Sequence, residues 1–250
     1  MTLKKQLKGV PQLVRTVRFL RELRLTARHS LQDAQLFEGH SRRSKRIHAY
    51  LHTHAVRKLQ LGTGGNVHPG WLNTDIVDFK RENEIVYLDA RKRFPFSDGS
   101  VDFVFSEHMI EHLRYPEGLH CLRECYRVLR PGGRVRFATP SLTRLARLYS
   151  EDLTDLQRRY IRWATDSFVE YADGYQPGFV LNNFFRSWGH EFIYDEQTLR
   201  HALATVGFVD IEEWPIGESG VPELAGLERH LPEEAEFNEY ETLVVEARRP

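Results

Sequence analysis

The chain has 250 residues, 41% hydrophobic and 28% charged, with a formal net charge of zero. These are ordinary values for a soluble globular domain; no apolar run approaches the roughly 18 residues of a membrane span, and the basic N-terminus lacks the apolar block of a signal peptide. Charge is lopsided all the same: residues 1–50 hold twelve Lys/Arg against three Asp/Glu, whereas residues 190–250 hold four against fifteen.

Residues 12–28 read as a helix, with Val14, Val17, Leu20 and Leu23 at helical spacing and Arg15, Arg18, Arg21 and Arg24 on a basic face. Such a helix either packs on its own domain, the favoured reading, or lies on an anionic membrane. A second helix is expected over Ser41–Leu51. Residues 1–55 thus form an N-terminal helical extension, and the first core strand runs from Val56 to Leu61.

Strand and helix then alternate. Strands are predicted at 84–90 (EIVYLDA), 101–106 (VDFVFS) and 134–140 (RVRFATP), with a helix over 117–129 stopped by Arg130-Pro131-Gly132-Gly133. A helix over 195–208 starts at Asp195 and ends before Gly207. Two strands, FVDIEEW and ETLVVEARR, close the domain. This order argues for a doubly wound α/β fold with a parallel sheet. Residues 141–194 are extra material holding twelve of the 29 aromatics, about twice their share by length. They are expected to form a helical cap over the carboxyl ends of the strands. Cys121 and Cys125, the only cysteines, lack CxxC spacing and read as reduced, buried thiols; a cytoplasmic address fits.

The segment VRKLQLGTGGNVHPGWLNTDI (56–76) carries the chemistry. Gly62, Gly64 and Gly65 allow backbone to approach a ligand closely. Asp75, ending the next strand, can accept hydrogen bonds from both hydroxyls of a ribose. Glycine turn plus acid is a nucleoside site, used by dinucleotide oxidoreductases and by S-adenosylmethionine-dependent methyltransferases. A dinucleotide fingerprint needs a third glycine and a helix for the pyrophosphate. Here that position is Val67, and ten residues including Pro69 and Gly70 leave little room for the helix. S-adenosylmethionine has no phosphate and needs none.

From residue 56 to 140 the order of motifs resembles class I S-adenosylmethionine-dependent methyltransferases. LQLGTGG, TDI, LDA, DFVFSEHMIEHL and LRECYRVLRPGGRVRFATP follow their order and spacing. The wording is especially similar to bacterial proteins with GWxNxD after the glycine turn, some associated with glycan or lipid-linked sugar assembly. Thr63 stands where such proteins often carry cysteine. The resemblance implies a Rossmann-like, mostly parallel seven-stranded sheet with its last strand antiparallel, and a methyltransferase domain over 56–250 with the cap inserted. It implies that Gly62, Thr63, Gly64 and Gly65 hold the methionine end of S-adenosyl-L-methionine. Asp75, with Ile76 beside it, would take the ribose; Asp89 and Ala90 would meet the adenine. Ser106 and Glu107 would line the path to the acceptor.

A neutral hydroxyl acceptor gains from a base, and histidine suits neutral pH. His190 is the leading candidate, with His108 and His112 as alternatives and His230 in the loop between the last strands. Arg186, Glu191, Glu218 and Glu228 are polar residues placed to orient an acceptor. The expected acceptor is a small molecule or saccharide, methylated on oxygen. Nucleic acid is disfavoured, because the basic residues form no groove-lining stripe with interleaved aromatics. Two other readings compete. Residues 108–112 (HMIEH) spell H-x-x-E-H, the inverted zinc-peptidase motif, but the surrounding motifs explain them without a metal. A non-catalytic cofactor-binding module is the other, disfavoured because the glycine turn and both nucleoside acids are intact.

Overall fold

The computed structural model describes residues 42–76, 85–230 and 232–250. The helix expected over 12–28, and with it the membrane-contact reading, lies outside these residues. The chain divides into two units, Met1–Arg46 and Ile47–Pro250. In the first, residues 42–46 are described and helical.

In the second, helix α1 runs to residue 53 (residues 42–53 in all). Ile47 and Tyr50 on it are buried in the main core, so the compact unit begins earlier than the expected boundary at 55/56. Tyr50 Oη accepts from Lys58 N at 2.8 Å and donates to the carbonyl of Gly70, locking the helix to the strand after it.

Seven strands form one sheet: β1 (Lys58–Leu61), β2 (Leu72–Asp75), β3 (Val86–Tyr87), β4 (Val101–Glu107), β5 (Leu129–Pro140), β6 (Val209–Glu213) and β7 (Thr242–Arg248). Their order is β3-β2-β1-β4-β5-β7-β6. Strands β1 to β5 pair in parallel, and β7 runs antiparallel to both neighbours. The expected topology is therefore present. β3 is shorter than the predicted strand over 84–90, and β5 is longer, taking in the Pro-Gly-Gly stop.

Helix α2 (Tyr115–Val128) begins with Pro116 in its first turn and buries Gly118, Cys121, Leu122, Cys125 and Val128, an i, i+3, i+4 stripe. Both cysteines are free and buried. The cap contains α3 (Leu142–Ala146), α4 (Asp155–Phe168) and α5 (Pro177–Arg186). Thr154 and Gln157 form a capping box at the start of α4. The cap has a core of its own, in which Leu145, Leu148, Tyr160, Ile161, Val180 and Phe184 pack together. Phe237 and Tyr240 join it from α7 (Ala235–Glu241), just before the last strand. Helix α6 (Glu196–Val206) is capped as its sequence predicts: Asp195 accepts from Thr198 N, and Gly207 ends it at φ 111°.

The strand order reverses between β1 and β4, and a doubly wound sheet binds ligands outside the carboxyl ends at that point. Leu61 is in register with Ser106, so the glycine turn emerges beside Glu107 and His108. Among the described residues no helix is long and apolar enough to cross a membrane.

Candidate active site

A cavity of about 370 Å³ opens at this switch point. One part of its lining is the turn after β1: Gln60, Gly62, Thr63, Gly64, Gly65 and Asn66. Thr63 N donates to the Thr74 carbonyl, Asn66 N to the Thr63 carbonyl, and Gly64 N to Asp75 Oδ2 at 2.9 Å. Gly62 (φ 65°) and Gly64 (φ 53°) occupy the left-handed region. A Cβ on Gly62 would fall onto the Met109 side chain, whereas one on Gly64 would meet nothing within 4 Å. Gly62 is thus required by packing and Gly64 by backbone conformation.

The rest of the lining is Glu107, His108, Glu111, His112, Pro140, Phe168, Phe184, Trp188, His190, His230 and Glu241. His108 follows β4 in a left-handed conformation (φ 46°), uncommon for a residue with a side chain. Its amide donates to the Ala138 carbonyl at 2.9 Å. Its ring stacks on His230 at 3.9 Å between centroids, and its Nδ1 lies 3.3 Å from Glu111 Oε1. Burial opposes charge on His108, but Glu111, Glu241 and Glu107 outweigh it and raise its pKa. His230 goes the other way. Burial, reinforced by the neighbouring His108, lowers it to about 3, so it is neutral at ordinary pH. Glu107 accepts from the amides of Arg229 and His230 at 2.8 and 2.9 Å, fixing that loop to the end of β4.

His190 arrives from the cap through a turn with positive φ at Trp188 and Gly189. The amides of Glu191 and Phe192 both donate to the Glu111 carbonyl, at 2.8 and 3.1 Å. His190 Nδ1 sits 2.8 Å from the Phe184 carbonyl; a carbonyl only accepts, so Nδ1 carries the proton and Nε2 keeps its lone pair. Burial lowers the His190 pKa. The ring meets His112 edge to face at 4.9 Å.

The three candidate histidines therefore share one cavity with the glycine turn. The two nucleoside acids do not line it. Asp75 ends β2, and one of its oxygens accepts from Gly64. Asp89 is buried, with both oxygens held by the Arg91 guanidinium at 2.8 and 3.0 Å. Burial raises the Asp89 carboxyl, but Arg91 and Lys92 pull it below its ordinary value. Ile76 is exposed and Ala90 buried; Ser106 is buried behind the lining. Glu228 serves the fold: its carboxylate takes Arg136 Nε at 2.5 Å and Gly217 N at 2.9 Å, while Arg136 also pairs with Glu246. Arg186 lines a separate groove on the cap. Gln60, Asn66 and Glu241 were not foreseen. Glu241, the last residue of α7, carries no clear signal of its place in the cavity.

Residues 54–137 match the family described as "Methyltransferase domain". This match covers about a third of the chain; with the sheet order and the site at its switch point it supports an S-adenosylmethionine-dependent methyltransferase, with S-adenosylmethionine as cofactor. The chain is similar in structure to an S-adenosylmethionine-dependent methyltransferase from Mesorhizobium loti (TM-score 0.48, 19% identity, covering 78% of this chain and 91% of that one). It is also similar to one from Archaeoglobus fulgidus (0.47, 17%, covering 82% and 92%). A third is a possible histamine N-methyltransferase from Thermotoga maritima (0.45, 15%, covering 80% and 88%). Among curated proteins nothing matches. The residues present fit the cofactor: no atom crowds the positions a Cβ would take on Gly64 or Gly65, so the turn offers bare backbone to the cavity.

Proposed function

We propose that the protein methylates a hydroxyl of a small-molecule acceptor, a saccharide being the favoured class. S-adenosylmethionine supplies a methyl group already activated on a sulfonium. The chain's task is then to hold the acceptor and manage its proton. The observation that carries this reading is the shared cavity: the glycine turn and a lining of four histidines and three carboxylates meet in one space. Phe168, Phe184 and Trp188 add aromatic surface, and aromatic rings with polar neighbours suit a sugar's alternating faces. Of the four histidines, His190 is the one oriented by a main-chain carbonyl, which leaves its Nε2 lone pair for the acceptor. An acceptor screen with methyl-labelled S-adenosylmethionine, weighted toward saccharides and lipid-linked saccharides, tests the assignment. Label should appear as an O-methyl group. His190→Ala should lower turnover by about 100-fold and leave cofactor affinity unchanged. Label appearing only on nitrogen acceptors, or full turnover by the variant, would overturn it.

A further inference from the structure

The pentapeptide HMIEH does not act as a helical zinc motif. Ile110–His112 is a single 3-10 turn, and the two histidines go to different neighbours. His108 joins His230, while His112 joins His190 from the cap. This second pairing creates something the linear motif does not contain. Ligating atoms of Glu111, His112 and His190 all lie within 4.8 Å of one another, at the cavity wall.

We infer that Glu111, His112 and His190 hold a divalent transition-metal cation, with open coordination positions turned to the cavity for the acceptor oxygen. Three further observations support the site. Glu111 is fully buried, and the one contact of its Oε1 is His108 Nδ1 at 3.3 Å, outside good hydrogen-bond geometry. A buried carboxylate oxygen held so loosely has capacity left for a cation. The other oxygen, Oε2, accepts from Thr139 Oγ1 at 3.0 Å, and His190 Nδ1 donates to the Phe184 carbonyl. These are the outer contacts that orient a ligating carboxylate and a ligating imidazole. Finally, the amides of Glu191 and Phe192 clamp the His190 segment onto the Glu111 carbonyl, so the two arms of the site are fixed together. His112 is exposed, and ligand bonds in such sites are about 2.0–2.2 Å, so cation binding requires the cluster to draw closer than it stands. Two imidazoles and one carboxylate favour zinc, iron, cobalt or manganese over magnesium or calcium. Three protein ligands leave room for an exogenous oxygen, as in catalytic sites.

The inference rests on the hydroxyl-methylation reading for the identity of that oxygen; in the loaded site the His190 Nε2 lone pair binds the cation, and the cation, in place of a free imidazole, would acidify the acceptor hydroxyl. The test is cation binding by the full chain, with Co²⁺ as probe. Titration should give visible d–d absorption at one equivalent, and competition with Zn²⁺ should remove it. His112→Asn and Glu111→Gln should each weaken Co²⁺ binding by about 100-fold or more, beyond the range for outer-contact variants. His52→Ala, remote from the cavity, should bind as wild type. Glu111 is buried, so the exposed His112 variant keeps the test valid if Glu111→Gln fails to fold. S-adenosylhomocysteine affinity, measured on the same samples by calorimetry, separates the two readings. Cofactor binding with no Co²⁺ uptake by wild type, or unchanged Co²⁺ binding in both variants, overturns the cation site and leaves methyl transfer standing. Co²⁺ uptake without cofactor binding does the reverse.

Discussion

Residues 60–66 give the cavity one lining from a single stretch of chain, held by main-chain hydrogen bonds and built around glycine. The histidine and carboxylate lining comes from four separate places: the end of β4 with the turn after it, the cap, the loop before α7, and the end of α7. The first part carries no ionisable side chain, whereas the second is almost all titratable. A backbone-built surface presents the same donors at any pH. A surface of buried histidines and carboxylates depends on neighbours to set each charge, as the opposite shifts of His108 and His230 demonstrate. Cofactor binding and acceptor chemistry should therefore fail independently under mutation.

Gly62→Ala should break the first lining most severely. The new Cβ meets Met109 and the residue must keep φ near 65°. Strain and overpacking together cost roughly 3 kcal/mol. Denaturant unfolding should show that loss, and S-adenosylhomocysteine binding should fall with it. Gly64→Ala is the sharper companion. It has open space and bears only the left-handed penalty, about 1–2 kcal/mol. Its stability loss should be smaller, and its affinity loss reports the Cβ standing in the cavity. Equal losses for the two variants would mean that Met109 yields freely.

The corresponding break in the second lining is Glu107→Ala. Its carboxylate takes two amides of the 229–230 loop, and burial raises its pKa despite them. Removing it strands two donors, a cost of about 2 kcal/mol. Hydrogen exchange at Arg229 and His230 should accelerate while cofactor affinity holds. Unchanged exchange would show that the stacking of His230 on His108 alone positions the loop.

The same contrast explains what the sequence could reveal. Gly62 to Asp75 form a local motif, since one turn and one strand bring them together, and their spacing is legible without a fold. Cap and sheet were legible from alternation and aromatic excess. The partition of HMIEH between two histidine neighbours was not. His190 and His230 lie about 80 and 120 residues beyond it in sequence, and only the cap and the loop before α7 bring them back. The Arg91 fork over Asp89 was also hidden, because a cation two residues from an acid reads equally as a solvated charge. Glu228 was misjudged for a related reason. Its partner Arg136 sits in mid-strand, where sequence alone gives no hint of a buried guanidinium.

Arg91→Ala is the mildest test and bears on the nucleoside side. The guanidinium holds both Asp89 oxygens, and the Arg91 amide adds a third bond at 3.0 Å that the variant keeps. The folded Asp89 pKa lies below its unfolded value, so its contribution to stability is present above about pH 4. It is lost as pH falls through the folded value. The stability gap between wild type and variant should accordingly be widest near neutrality and should close in acid. The Arg91 side chain is half exposed, so the gap stays at or below about 1 kcal/mol. Affinity is the more telling readout. If Asp89 accepts from the adenine amino group, Arg91 competes with the cofactor for its oxygens. The variant should then bind S-adenosylhomocysteine as well as wild type or a few-fold better. A marked loss would make Arg91, not Asp89, the residue that meets the nucleoside.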